Sequence, residues 1–224
     1  MPNLPHRMNT VHIPAGSVEL DGDLALPPSS GGVVLFAHGS GSSRLSPRNT
    51  YVAGILQQRG IGTLLFDLLT REEDRNYETR FDISLLTQRL LSATAWLQGR
   101  PQTQALKLGY FGASTGAAAA LRAAAEMGNQ ISAVVSRGGR PDLAGELALR
   151  RVHAPTLLIV GAADYEVVEL NRQAYALMHC TKQLKLIPGA THLFEEEGTL
   201  EQAANAAADW FAQHLRSQGQ HPAA

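Results

Sequence analysis

One pentapeptide constrains this chain more than any other stretch. Gly112-Ala113-Ser114-Thr115-Gly116 has the form G-x-S-x-G and stands where the hydrophobic pattern changes period. Before it, Leu106, Leu108, Tyr110 and Phe111 make a short apolar run that suits a buried strand. After it, residues 117–124 are alanine broken only by Leu121 and Arg122, a run of strong helix formers. A strand that turns this sharply into a helix strains the serine backbone and pushes its Oγ outward. Gly112 and Gly116 lack a Cβ, so the helix can pass close to neighbouring strands. Ser114 then opens the helix, where free N–H groups and the dipole favour negative charge. There the N–H of Thr115 is expected to point at an oxyanion forming on a bound acyl group. The competing reading is a small-residue turn needed only for tight packing, and the rest of the chain must decide.

From residue 33 onward, strand and helix patterns alternate. Strands are expected at 33–37, 61–66, 106–111, 131–135, 156–160 and 184–187. Helices are expected at 49–59, 82–98, 117–124, 167–178 and 199–215. Residues 1–30 carry an antiparallel pair, 11–14 and 18–26, turning at Ala15-Gly16. Residues 67–81 are long and charged and read as a surface loop. Residues 136–155 are a connector with room for one short helix near 143–150. Residues 218–224 read as a frayed tail. The fold class is therefore α/β: a mostly parallel central sheet, helices on both faces, and no large cap domain. In such sheets ligands sit beyond the carboxyl ends of the strands, so the loops there are where chemistry is sought.

Bulk properties narrow the class. At 224 residues the chain fits a single domain, 1–224, with a full-sized core. A net charge of −1 argues against a sequence-independent nucleic-acid binder. No apolar run reaches membrane-span length, and the first seven residues lack an apolar signal core. The single cysteine, Cys180, leaves no internal disulfide and fits the reducing cytoplasm. It reads as a small buried hydrophobe rather than a nucleophile.

Ser114 needs a base, because a free hydroxyl is a poor nucleophile near neutral pH. Of the eight histidines, only His192 follows the last strand, in Gly189-Ala190-Thr191-His192. His38, on another strand-end loop, is its competitor; His179 and His214 lie at helix ends and read as surface residues. A histidine that only stabilises its loop is the plainer alternative for His192. Asp164, just past the strand at 156–160, can accept the imidazole Nδ1–H. Glu166 could substitute, and Asp164 could instead be a helix N-cap. For the second oxyanion donor, His38-Gly39-Ser40-Gly41-Ser42-Ser43 offers the N–H of Ser40, with Gly41 next. That loop lacks the spacing and the lysine of a nucleotide P-loop.

Four motifs in this order, H-G-S-G-S-S at 38, G-A-S-T-G at 112, G-A-A-D at 161 and G-A-T-H at 189, resemble the α/β-hydrolase fold. Within it, the chain is similar to the small dienelactone hydrolase-like group, over about residues 30 to 216. The resemblance implies a serine hydrolase with Ser114, Asp164 and His192 in the triad positions. Dienelactone hydrolases proper carry cysteine as nucleophile; serine here leans toward an ordinary carboxylic ester over a lactone.

The short 136–155 connector implies an open, shallow site suited to small acyl groups. Arginine recurs on loops at the expected catalytic edge: Arg44, Arg48, Arg71, Arg75, Arg80, Arg137 and Arg140. One reading is a carboxylate-bearing substrate held by Arg137 or Arg140. The favoured one is ordinary ion pairing with Glu72, Glu73, Asp74, Glu78, Asp82 or Asp142. The expected activity is a carboxylesterase-type serine hydrolase needing no cofactor and no metal. Its partner is a small-molecule ester, with no nucleic acid and no membrane; homo-oligomerisation is left open. Rival readings are a lactonase, thioesterase or acyltransferase on the same triad, and a catalytically silent binding module.

Overall fold

The computed structural model describes residues 8–215; the expected tail at 218–224 lies outside them. Eight strands form one sheet in the order β1-β2-β4-β3-β5-β6-β7-β8. They are β1 (Met8–Ala15), β2 (Val18–Ala25), β3 (Gly32–Ala37), β4 (Gly62–Phe66), β5 (Lys107–Ala113), β6 (Ile131–Arg137), β7 (Thr156–Gly161) and β8 (Lys182–Ile187). β1 and β2 form the hairpin expected for the first segment, and β2 joins β4 antiparallel. Every pairing from β4 across to β8 is parallel. The N-terminal hairpin thus supplies one antiparallel margin, and the parallel strands behind it carry the long apolar runs read from the sequence.

The helices are α1 (Pro47–Gln58), α2 (Ile83–Gln98), α3 (Thr115–Met127), α4 (Glu146–Arg151), α5 (Tyr165–Leu177) and α6 (Thr199–His214). α1 and α6 cover one face over a core that includes Phe36, Val52, Leu56, Phe111 and Phe211. On the other face α2 to α5 enclose Leu35, Leu90, Tyr110, Leu121 and Leu149. The 67–81 segment is more ordered than a loop. Leu68 and Leu69 are buried, and two short 3-10 turns follow at Glu73–Arg75 and Thr79–Phe81. The 136–155 connector likewise holds a 3-10 turn at Pro141–Ala144 before α4, and no inserted cap.

Strand order reverses at β3, which has β4 on one side and β5 on the other. This switch point opens a crevice at the carboxyl ends of β3 and β5. It exists only because α3 lies nearly against the strand tips. Ala117, Ala118, Ala119 and Ala120 are all fully buried, so this stretch of α3 puts only methyl groups into the packing around it. A Cβ placed on Gly116 would collide with the carbonyl oxygens of Ala37 and His38. Backbone cannot move aside as a side chain can, so glycine is required there.

His38, at the end of β3, ties the crevice to the next loop. Its Nε2 accepts the Leu68 N–H at 3.0 Å, and its Nδ1 lies 2.9 Å from the Gly39 carbonyl. With Nε2 accepting, Nδ1 must carry the proton and donate, so the buried ring is held neutral. Burial lowers the His38 pKa, against the weaker raising effects of the Gly39 carbonyl, Asp67 and Asp74. His38 therefore serves the loop, not the hydroxyl of Ser114.

Two outcomes follow. Gly116→Ala should destabilise the fold by about 1–3 kcal/mol or more, read as a lower denaturation midpoint. A lowered histidine pKa means the unfolded chain binds the proton more readily. Stability is then full above the unfolded value of about 6.5 and is lost as pH falls below it. His38→Gln should be less stable at neutral pH and should show a flatter loss of stability between about pH 7 and 5 in urea titrations.

Candidate active site

The site is built from the tips of β3, β5, β6, β7 and β8. At the tip of β5 the chain turns directly into α3, and Ser114 takes φ 50° and ψ −122°. A non-glycine residue in that region costs about 1–3 kcal/mol, so its surroundings must hold it. They do so through the backbone. The Ser114 N–H donates to the Arg137 carbonyl at 3.3 Å, and the Ser114 carbonyl accepts from Ala117 and Arg140, each at 3.1 Å. Ser114 sits as the N-cap of α3, yet its side chain makes no capping bond. The hydroxyl is left free for other work.

The loop after β3 passes directly over the serine. A Cβ on Gly39 would come within 3.0 Å of the Ser114 Cβ, so only a bare backbone fits at this height. Ser40 follows, and its N–H donates to Thr115 Oγ1 at 2.9 Å. The second oxyanion donor expected from the sequence thus already has an acceptor. The Thr115 hydroxyl reaches it because Thr115 stands at the first turn of α3, beneath the loop. The Thr115 N–H, in that same first turn, has no carbonyl four residues back in the helix. Gly41, the other candidate donor, takes φ 67°.

His192 and Asp164 come together. His192 Nδ1 lies 2.7 Å from Asp164 Oδ2. Asp164 is the residue before α5, as the N-cap alternative required, but its carboxylate makes no capping bond. The carboxylate is spent on the imidazole instead. Glu166, in the first turn of α5, makes no hydrogen bond to His192 among the described residues and is exposed. The turn carrying His192 is closed by Glu196, which accepts the Thr191 N–H at 3.0 Å and the Thr191 hydroxyl at 2.6 Å. These bonds hold the exposed Glu196 carboxyl below the usual carboxylate range.

Ser114 and His192 line one cavity of about 260 Å³, together with Ser40, Arg48, Asn49 and Arg137. No hydrogen bond joins the serine hydroxyl to the imidazole among the described residues. Bonds of this kind are often long before substrate binds and tighten with it. Of the other histidines, His179 is exposed, whereas His214 is half-buried against the Trp210 ring rather than on the surface.

The arginines divide. Arg44 pairs with Asp23 and Asp67, Arg80 with Asp74, and Arg48 with Glu195. Arg140 is forked onto Asp142, with bonds of 2.9 and 2.7 Å. That pair is the ordinary one the sequence suggested. Arg137 is different: it is buried, and no described carboxylate pairs with it. Arg71 and Arg75 are exposed. Sequence reading passed over Asn49, Ser42 and Ser46, which line the cavity from the start of α1 and the loop before it. Ser46-Pro47 carried a helix-start signal, but nothing in it said that this helix end faces Ser114.

Among the described residues no helix is long and apolar enough to cross a membrane. Comparison with known proteins agrees with the architecture. A dienelactone hydrolase from Anabaena variabilis superposes with a TM-score of 0.92 at 54% identity, covering 94% of this chain and 99% of that one. A lidless α/β serine hydrolase from Xanthomonas campestris shares the fold, with a TM-score of 0.77 at 21% identity, covering 97% and 100% of the two chains. A Mycobacterium tuberculosis protein, provisionally named a phosphoribosyl transferase, is 57% identical over 215 residues. Those residues are 96% of this chain but 48% of that protein, so the chain spans about half the length of the curated relatives it matches. The Dienelactone hydrolase family matches residues 22–218, and the chain belongs to that family of α/β hydrolases.

Proposed function

We propose that this chain hydrolyses small carboxylic esters through an acyl-enzyme on Ser114. The observation that carries the reading is the 2.7 Å contact between His192 Nδ1 and Asp164 Oδ2, beside a serine whose backbone is strained and whose hydroxyl is uncapped. An aspartate at that nitrogen fixes the tautomer, leaving Nε2 unprotonated to act as base. Ser114 Oγ attacks the ester carbonyl as His192 Nε2 takes its proton. Negative charge gathers on the carbonyl oxygen, and Asp164 stabilises the imidazolium. The imidazolium then protonates the leaving alcohol as the C–O bond breaks. Water enters, gives its proton to His192 and attacks the acyl carbon, and Ser114 leaves with that proton restored.

The oxyanion is assigned to the N–H groups of Thr115 and Ser40. The Thr115 hydroxyl accepts the Ser40 N–H at 2.9 Å. Rotation of that side chain releases the donor to the carbonyl oxygen. The dipole of α3 adds to the same charge. Of the two arginines weighed for substrate binding, Arg137 keeps the role and Arg140 loses it to Asp142. The absence of a cap over the crevice favours short acyl groups. The transferase name of the mycobacterial relatives attaches to chains of which half lies outside this match, whereas the serine, histidine and aspartate suit acyl transfer to water.

Hydrolysis of p-nitrophenyl esters across acyl lengths tests the reading, with acetate and butyrate turned over faster than long chains. Ser114→Ala should lower kcat on the order of 10⁴-fold or more; substantial residual turnover would point to another nucleophile. Asp164→Asn should cost on the order of 10³- to 10⁴-fold while the thermal melt stays cooperative, and Glu166→Gln should not. The reverse pattern would move the acid by two positions.

A further inference from the structure

Arg137 is the last residue of β6, with 8% of its surface exposed at the cavity beside Ser114. Its guanidinium carbon lies 5.9 Å from the Phe111 ring centre and 5.8 Å from that of Phe194. Among the described residues its side chain makes one long polar contact, 3.4 Å from Nη2 to Asn49 Oδ1, and Nη1 is buried without a partner. Burial, with the charge of Arg48 added, pushes its pKa down to about 10, so it stays charged at neutral pH. A buried cation without a counterion is costly, and buried donors are nearly always satisfied. Something that enters this cavity completes it.

The rest of the wall says what. Ser46 caps α1, and Arg48 and Asn49 lie in its first turn; all three line the cavity, as does Ser42. The positive end of a twelve-residue helix therefore faces the same space as Arg137. Two guanidinium groups and no carboxylate are in the lining, and the partner of Arg48, Glu195, stands outside it at 3.4 Å. Donors come from the floor, the helix end and the loop. A planar carboxylate offers two oxygens and one charge. A phosphomonoester offers three terminal oxygens in a tetrahedral spread and a charge of about −1.5 to −2 at neutral pH.

From this wall we infer that the cavity is an anion subsite that takes the phosphate of a small phosphorylated ester, with the scissile carbonyl at Ser114. The inference rests on the reading of Ser114 as nucleophile. It deepens that reading by naming the substrate class: acyl esters with a phosphomonoester a few bonds from the carbonyl.

The test compares an acetylglycerol phosphate with neutral acetylglycerol and with an ethyl hemisuccinate. The phosphorylated ester should have a kcat/KM roughly 10- to 100-fold above the neutral one, and added salt should shrink the gap. Arg137→Met should bring the ratio close to one. Equal values in the native protein would overturn the subsite, and a preference for the hemisuccinate would reassign it to a carboxylate. If Arg137→Met fails to fold, Arg48→Met carries the comparison: inorganic phosphate should inhibit neutral-ester turnover competitively in the native protein and less so in this variant. No inhibition of the native protein would overturn the proposal.

A separate readout does not depend on turnover. Calorimetric titration of the Ser114→Ala protein with inorganic phosphate should show binding that Arg48→Met weakens. Binding without hydrolysis of any ester would sink the nucleophile and keep the subsite; no binding would sink the subsite alone.

Discussion

Everything at this site depends on how closely a helix can lie against a strand tip. From Gly116 to Ala120 α3 carries nothing larger than a methyl group, and at Gly116 even a Cβ would meet the carbonyls of Ala37 and His38. The closeness forces Ser114 into its positive-φ turn and places the first-turn N–H groups of α3 beneath the loop after β3. Strain at the serine and the burial of a nearly featureless alanine helix are two aspects of one constraint. The stability that a larger side chain would add on α3 is forgone, and a precisely placed hydroxyl is gained.

Around that turn, the remaining groups are positioned by bonds that leave the Ser114 hydroxyl and the second nitrogen of His192 uncommitted among the described residues. Asp164 forgoes its capping bond to hold His192, Glu196 closes the turn on which His192 rides, and His38 uses both ring nitrogens to pin the loop above Ser114. A neutral, buried His38 is a strut; His192, half-buried with one nitrogen engaged by Asp164, is the ring that suits the proposed base. Their different surroundings separate two histidines that the sequence offered as competitors.

Much of this was legible in the chain. The strand–turn–helix context of Gly112 to Gly116, the order of serine, aspartate and histidine, and the placement of each on a strand-end loop are local signals, and α/β alternation says those loops share one edge. What could not be read depends on contacts between distant segments. The Ser40 N–H meets the Thr115 hydroxyl 75 residues away, and His38 meets Leu68 across 30. The arginines make the same point. Arg140 finds its carboxylate two residues on, at Asp142, as composition suggested. Arg137, three positions earlier at the end of a buried strand, is turned between Phe111 and Phe194 toward α1, where no acid waits. Neighbours in sequence, they have opposite fates because Arg137 ends a buried strand, whereas Arg140 stands in the loop beyond it, beside the turn that carries Asp142.

The central claim is that the Ser114 hydroxyl is an activated nucleophile. Labelling with a fluorophosphonate followed by peptide mass analysis tests it most directly. An activated Ser114 should give a single adduct on the peptide containing it, formed rapidly in the folded protein and abolished when the protein is unfolded before exposure. A folded protein that stays unlabelled, or an adduct on a different side chain, would contradict it.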